Sequence, residues 1–430
     1  MRRNRLLLLV AALCLVPQKV GAGEAPALQG GRAKDALLAV ADGDTADAAF
    51  SLRGFGTLAA ARSSSDQADF VRDLSQPRGL SGGRWSGRTD SVLGLQASWQ
   101  ATPQVELVAQ AVSRYRHDAS YRPELIWGFV KWEPNAQLSL RGGRLGTEFL
   151  MRADSRLVGY SQLTVRPPPD YFGALPFTHI DGADASIVLP VGAGLLRAKL
   201  YAGVSTEKAP LADRLWDLDG SLMGGGHVDY QAGSWLFRLG HADWRHKHDL
   251  PPPAADVIAA LRLTGAPAAV AAARALGVRD TTSHFTSAGA IHDDGPLQVQ
   301  LMLSRTTHDS AIFQDSTAGY VLAGYRFARF TPYLGWSRVS SRPKSLATGL
   351  PDVPPLDRIN AGVVAVLADS RSNQHTTTLG LRWDVRDNVA VKLQFDAIRG
   401  GADSIFPYRW EKAGWDGKTN VLSISTDFVF

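Results

Sequence analysis

The 430-residue sequence predicts an all-β fold: a transmembrane antiparallel β-barrel of about 16 strands, with short periplasmic turns and long extracellular loops. Three observations predict it. Apolar and polar residues alternate with a period of two from Phe50 to the last residue, as in strands with one face in an apolar medium. The alternating segments run about ten residues, the length a tilted spanning strand needs. Short and long connections follow one another in turn, a sorting that a soluble sandwich has no reason to impose.

The elements follow in chain order. Residues 1–22 read as a secretory signal. Arg2, Arg3 and Arg5 supply its basic start, and Val20-Gly21-Ala22 its cleavage site. Between them Leu6 to Val16 is an apolar run of about eleven residues, too short to span a bilayer as a helix. The single cysteine, Cys14, lies inside this signal, and Leu13 before it is not the small residue a lipoprotein site wants. The exported chain therefore relies on backbone pairing rather than disulfides. The formal charge of +5 includes Arg2, Arg3, Arg5 and Lys19 of the signal. Without them it is about +1, so charge gives no reason to expect a nucleic-acid partner. Residues 23–49 form an N-terminal periplasmic lead-in, and 50–430 the barrel.

Within the barrel the last segment alternates most plainly. Leu422, Ile424, Thr426, Phe428 and Phe430 share one face, and Val421, Ser423, Ser425, Asp427 and Val429 the other. Leu379, Leu381, Trp383 and Val385, then Leu393 and Phe395, repeat the apolar face upstream, as do Leu297, Val299, Leu301 and Leu303. Short turns fall near 100–104, 133–136, 190–194, 231–234, 293–296, 328–331 and 386–388, with punctuation such as Asp294-Gly295 and Asp387-Asn388. Long polar stretches fall near 61–90, 114–123, 146–180, 204–218, 245–282, 305–316, 340–374 and 400–418. Seven turns and eight loops join sixteen strands. An even count puts both ends of the barrel on the short-turn side. A barrel of about 16 strands encloses an aqueous channel unless a loop blocks it.

The segments Leu52-Arg53-Gly54-Phe55-Gly56-Thr57-Leu58, Leu93-Gly94-Leu95-Gln96 and Leu140-Arg141-Gly142-Gly143-Arg144-Leu145-Gly146, and the terminal Phe430, carry a family likeness. Residues 50–430 resemble the general bacterial outer-membrane porins of the 16-stranded, proteobacterial type. The resemblance implies a homotrimer in the cell outer membrane, among its lipid and lipopolysaccharide. It implies passive diffusion of small hydrophilic solutes, with loop 146–180 folded inward as a constriction and Phe430 as an assembly signal. No cofactor is implied. Two departures stand out: the long lead-in 23–49, and the Ala-rich helical stretch Ala254–Leu276, broken by Gly265 and Pro267, in loop 245–282. That stretch is read first as a plain extracellular excursion, ahead of a lid or a partner-binding helix.

Loop 146–180 carries Arg152, Asp154, Arg156 and Arg166, then three prolines, Pro167 to Pro169, which stiffen it. A stiff loop of mixed charge sets up a transverse field in a constriction. Parity places Arg53, Arg114, Arg141, Arg197, Lys199, Arg238, Arg326, Arg382 and Lys392 on polar strand faces, against Glu106, Asp384, Asp396 and Asp427. The candidate pore-lining set is Arg53, Arg141, Arg144, Arg152, Asp154, Arg156, Arg197 and Lys199. The cationic excess favours anions weakly, and the bland alternative is that these cations pair with acids. His246-Lys247-His248 with Asp243 and Asp249 reads as a solvated loop edge, and Asp42-Gly43-Asp44 and Asp217-Leu218-Asp219 lack calcium-loop spacing, so no metal site is expected. Three alternatives stand beside the channel. A barrel lipid hydrolase needs a nucleophile beside a base, but Ser283 and His284 are adjacent on a strand and face opposite ways, and no Gly-x-Ser-x-Gly elbow is present. A transporter of hydrophobic substrates would be plugged by 23–49. An adhesive barrel would use its loops.

Overall fold

The computed structural model describes residues 49–175, 177–211, 213–401 and 408–430. The signal and nearly all of the lead-in lie outside the described residues, and so does Asp42-Gly43-Asp44. Sixteen strands close into one antiparallel barrel. In chain order they are β1 (Phe50–Ser63), β2 (Val92–Thr102), β3 (Val105–Arg114), β4 (Glu124–Trp132), β5 (Leu138–Gly146), β6 (His179–Val191), β7 (Gly194–Val204) and β8 (Leu222–Ala232). Then follow β9 (Trp235–Arg245), β10 (Thr282–Asp294), β11 (Leu297–His308), β12 (Ser316–Tyr325), β13 (Phe330–Ser341), β14 (Asn373–Arg386), β15 (Val389–Gly400) and β16 (Lys418–Val429). Each strand pairs with its neighbour in sequence, and β1 closes the ring against β16 with Phe55 opposite Val429. Strand count and loop sorting agree with the sequence expectation. At the tightest turns Gly192, Gly233 and Gly295 take positive φ, a conformation a Cβ would oppose.

The alternation sorts side chains as a membrane barrel requires. Along β16 Leu422 and Ile424, and just past it Phe430, are exposed outward, and Ser423, Ser425, Asp427 and Val429 are buried inside. Leu379, Leu381, Trp383, Leu393 and Phe395 are exposed likewise. At the short-turn ends of the strands, Phe50, Trp99, Trp132, Trp235, Tyr325, Phe330, Trp383 and Phe430 stand on the outer wall. An apolar belt edged by aromatic rings is the outer surface of a barrel set in lipid.

The opposite end carries the long connections; among the described residues these hold the α-helices α1 (Pro169–Phe172), in the third long loop, and α2 (Ala254–Leu263), α3 (Pro267–Leu276) and α4 (Leu356–Ala368). Gly265, at φ +66°, separates α2 from α3, and Pro267 starts α3, where a missing N–H costs nothing. The Ala-rich stretch is therefore not a plain excursion. Ile258, Leu261, Ala269, Ala272, Ala273 and Leu276 are buried in one apolar cluster with Val363, Val366 and Leu367 of α4 and with residues inside the barrel. Small alanines allow the close helix contact. Ala311 and Ser310 of the next loop bond the carbonyls of Ala275 and Leu276.

Candidate functional site

The third long loop, 147–178, enters the barrel and touches its wall on many sides. Phe149 accepts a bond from Ser287 of β10 at 3.0 Å, and Met151 lies against Gly289 of the same strand. Gly159 sits against Thr57 and Asp427 so closely that a Cβ would fall 2.2 Å from both side chains. Lys392 of β15 binds the carbonyls of Gly159 (2.8 Å) and Thr164 (3.0 Å) and pairs with Asp427 at 3.0 Å. Gln394 accepts the amide of Val165 at 2.8 Å. Arg166, 1% exposed, is clamped at 2.7 Å by both Asp90 and Asp396. Asp170 then accepts Ser337 of β13 and Gln374 of β14, both at 2.7 Å. A loop fixed by charge-assisted bonds to β13–β16, and by a neutral bond to β10, is held as firmly as a wall.

Apolar contacts complete this attachment. Phe149, Met151, Tyr171, Phe172 and Phe177 join inward Tyr201, Met223, Met302, Tyr320 and Tyr333 in the cluster that continues into the helices. An aromatic chain leads outward: Phe149 to Phe177 at 5.6 Å, Phe177 to Trp244 at 4.6 Å, Trp244 to Trp216 at 5.9 Å and Trp216 to Phe313 at 5.7 Å. Leu157 and Val158 pack with Phe55, Val92, Val112, Ile126 and Val429 on the other side.

A charged lattice lines the wall of β5 to β9 beside this loop. Arg141 binds Asp184 at 2.6 Å and Glu148 at 2.9 Å. Lys199 binds Glu148 at 2.6 Å and Asp184 at 3.2 Å. Arg238 grips Asp229 at 2.6 Å and 2.8 Å. Three cations thus face three carboxylates. Burial pushes the Glu148 carboxyl up, but Lys199 and Arg141 outweigh it and hold the group far below its ordinary range.

A second cluster is not balanced. Arg72, Arg114 and Arg156 are all buried around Asp73. Arg72 reaches Asp73 at 3.3 Å, Arg114 binds Ser75 at 2.6 Å, and Arg156 binds the Phe177 carbonyl. Arg409 binds the carbonyls of Leu74 and Gln76 beside them. Burial raises the Asp73 carboxyl, yet the three guanidiniums bring it down to about 2. Burial and its like-charged neighbours bring Arg156 down to about 10. Glu207, with His179 at 2.7 Å and Thr178 bonded to it, stands at about 2.

The candidate residues fall in different places. Arg53 is half-buried on the inner face of β1. Arg197 is exposed inward on β7 and makes no ion pair among the described residues. Arg141 and Lys199 are in the lattice, paired with acids. Arg152 folds back on Ser161 and Gln162, Asp154 accepts the Ser155 amide, and Arg156 joins the second cluster. Arg144 does not share the lumen face. It lies three positions from inward Arg141 and binds its cross-strand partner Asp181 at 2.7 Å on the outer face. Glu148, Asp184, Asp229 and the Asp90 clamp were missed. Inward parity on β6 and β8 was the available signal for Asp184 and Asp229, whereas nothing local marks Asp90. Of the rejected metal motif, His246 turns inward between Trp216 and Trp244. Burial brings its imidazole down to about 4. Ser283 also faces inward, with His246 at 2.8 Å and His308 at 2.7 Å, whereas His284 faces outward.

No family model matches the sequence, and no curated protein matches it. Solved structures do resemble the fold. OmpF of Salmonella typhi, in complex with daunomycin, matches 89% of this chain and 97% of its own at 9% identity, with a TM-score of 0.53. An anion-selective porin from Comamonas acidovorans matches 89% and 99% at 15% identity and 0.51. The outer membrane channel DcaP of Acinetobacter baumannii matches 90% and 99% at 10% identity and 0.51. The likeness is one of fold, over nearly the whole of each chain.

Proposed function

We propose that this chain is an outer-membrane porin through which small hydrophilic solutes diffuse passively, with a weak preference for anions, and that it assembles as a homotrimer in lipid and lipopolysaccharide. One observation carries the reading: a closed sixteen-stranded barrel with an apolar outer belt holds its third long loop inside. Geometry of that size gives a channel, and a fixed inner loop sets its bore. The similar solved structures named as porins and channels support the same reading. The anion preference rests on Arg72, Arg114, Arg156 and Arg409 around Asp73 and on Arg197 exposed within. It is weak because Arg141, Lys199 and Arg238 are matched by acids.

Recording of single channels in a planar bilayer tests the proposal. Under a salt gradient at low salt the reversal potential is expected on the anion side, moderately, and the effect shrinks at high salt. Replacing Arg141 and Arg197 by Ser moves it toward cations, since Asp184 and Glu148 lose a partner. Well-folded protein without conductance overturns the proposal.

A second reading, a narrow channel for a restricted set of solutes, is favoured by the apolar cluster that joins the inner loop to α2, α3 and α4. It expects deletion of 254–276 to raise conductance several-fold. The hydrolase reading has little support: Ser283 is 2% exposed, held between two histidines beneath aromatic rings.

A further inference from the structure

The outer wall of β9 and β10 carries a group of side chains that the channel does not use. Up β9, Trp235, Phe237 and Leu239 face outward as part of the apolar belt, and the next two outward positions are His241 and Asp243. On β10, His284 is the direct cross-strand partner of Asp243, and Thr286 that of His241. Ligand atoms of His241, Asp243 and His284 all lie within 4.8 Å of one another.

The arrangement within the group is specific. His284 Nδ1 lies 2.6 Å from Asp243 Oδ1, and His241 Nε2 lies 3.2 Å from the same oxygen. The other nitrogen of each ring faces a further polar group. His241 Nδ1 bonds the Thr286 hydroxyl at 2.9 Å, and His284 Nε2 lies 3.6 Å from Asp309 Oδ1. Metal-binding imidazoles show this division: one nitrogen turned to the ion, the other held by a hydroxyl or carboxylate that fixes ring and tautomer. All three donors stand on paired strands rather than a loop, so their spacing is set by the ladder. Two imidazoles and a carboxylate, with further positions open to solvent, suit a borderline divalent cation better than the oxygen-seeking magnesium or calcium.

We propose that His241, Asp243 and His284 bind a divalent transition-metal ion of the zinc class on the outer surface of the barrel, with Thr286 and Asp309 as positioning residues. The site is separate from the channel, because its side chains face away from the lumen.

The test uses the full chain, folded in detergent and stripped with a chelator. Titration with Zn2+ in a calorimeter is expected to show one site per chain. Co2+ is expected to develop visible absorption bands that Zn2+ abolishes. His241→Ala or His284→Ala removes the bands and weakens Zn2+ binding at least tenfold. Thr286→Val and Asp309→Asn leave the ligands in place and weaken it about 10- to 100-fold, the usual range for outer-sphere partners. Heat-modifiable migration checks that each variant is folded, and at least Asp309→Asn, a near-isosteric surface change, must pass that check. No uptake by the unaltered chain overturns the proposal. So does uptake unchanged in the folded histidine or Asp309→Asn variants, and so does equal competition by Mg2+.

Discussion

Phe430 shows how one side chain is accommodated at the seam. Its amide bonds Gly54 and its carbonyl accepts from Gly54, at 3.0 Å and 2.7 Å, while its ring covers the same glycine. A Cβ on Gly54 would lie 2.2 Å from Cζ of that ring. Deleting Phe430 is expected to lower the yield of folded barrel in the outer membrane, and Gly54→Ala to reproduce part of the loss by pushing the ring aside. Heat-modifiable protein at unaltered abundance in both variants would refute this. The sequence placed such side chains well by parity, as with Leu393 outward and Gln394 inward. Parity does not identify a partner. Gln394 meets Val165, 229 positions away, and Tyr333, and neither is marked by spacing. Arg144 shows the opposite error, a residue grouped by its neighbours in sequence when the pleat had already turned it outward.

At the scale of an element, the inner loop behaves as a beam pinned at several points. Arg166 is one pin, and its removal strands Asp90 and Asp396 in a buried place. Arg166→Met is expected to cost about 3–5 kcal/mol, as for breaking a buried ion pair, and to give a larger, noisier channel in bilayer recordings. Acid acts on the same attachment. Asp73 and Glu207 both stand at about 2 in the folded chain, against ordinary values of 3.8 and 4.5. A carboxyl depressed by folding stabilises the fold above its unfolded value, and that contribution disappears as pH falls through the folded value. Loosening is therefore expected between about pH 4.5 and pH 2. Near-ultraviolet circular dichroism of the buried tryptophans reads it, and a spectrum constant to pH 2 would count against the attachment. Loop positions were legible from polarity and turn residues. The route of the loop inside the barrel was not, because its anchors come from β10 and β13–β16, far along the chain.

For the molecule as a whole, the contrast between outside and inside is the main energetic fact. Arginine on the lipid face near mid-membrane costs about 2–4 kcal/mol, so Leu393→Arg is expected to impair refolding into lipid vesicles. Gln298→Arg, on the inner face toward the short turns, is expected to be tolerated; equal damage from both would mean the faces are misassigned. The strand number, the sorting of short turns from long loops and the lipid face were all legible, because each repeats along the whole barrel. The filling of the interior was not, since it arises from contacts that no local pattern encodes. The seam has a further consequence, in time. β1 emerges first among the sixteen strands and β16 last, yet they are neighbours, and Thr57 meets Asp427 across 370 positions. The ring cannot close until β16 is in place. So distant a pairing is slow to find, and until it forms both border strands present unpaired edges. Until β16 joins β1, the unclosed chain is therefore expected to be open to pairing with other edges.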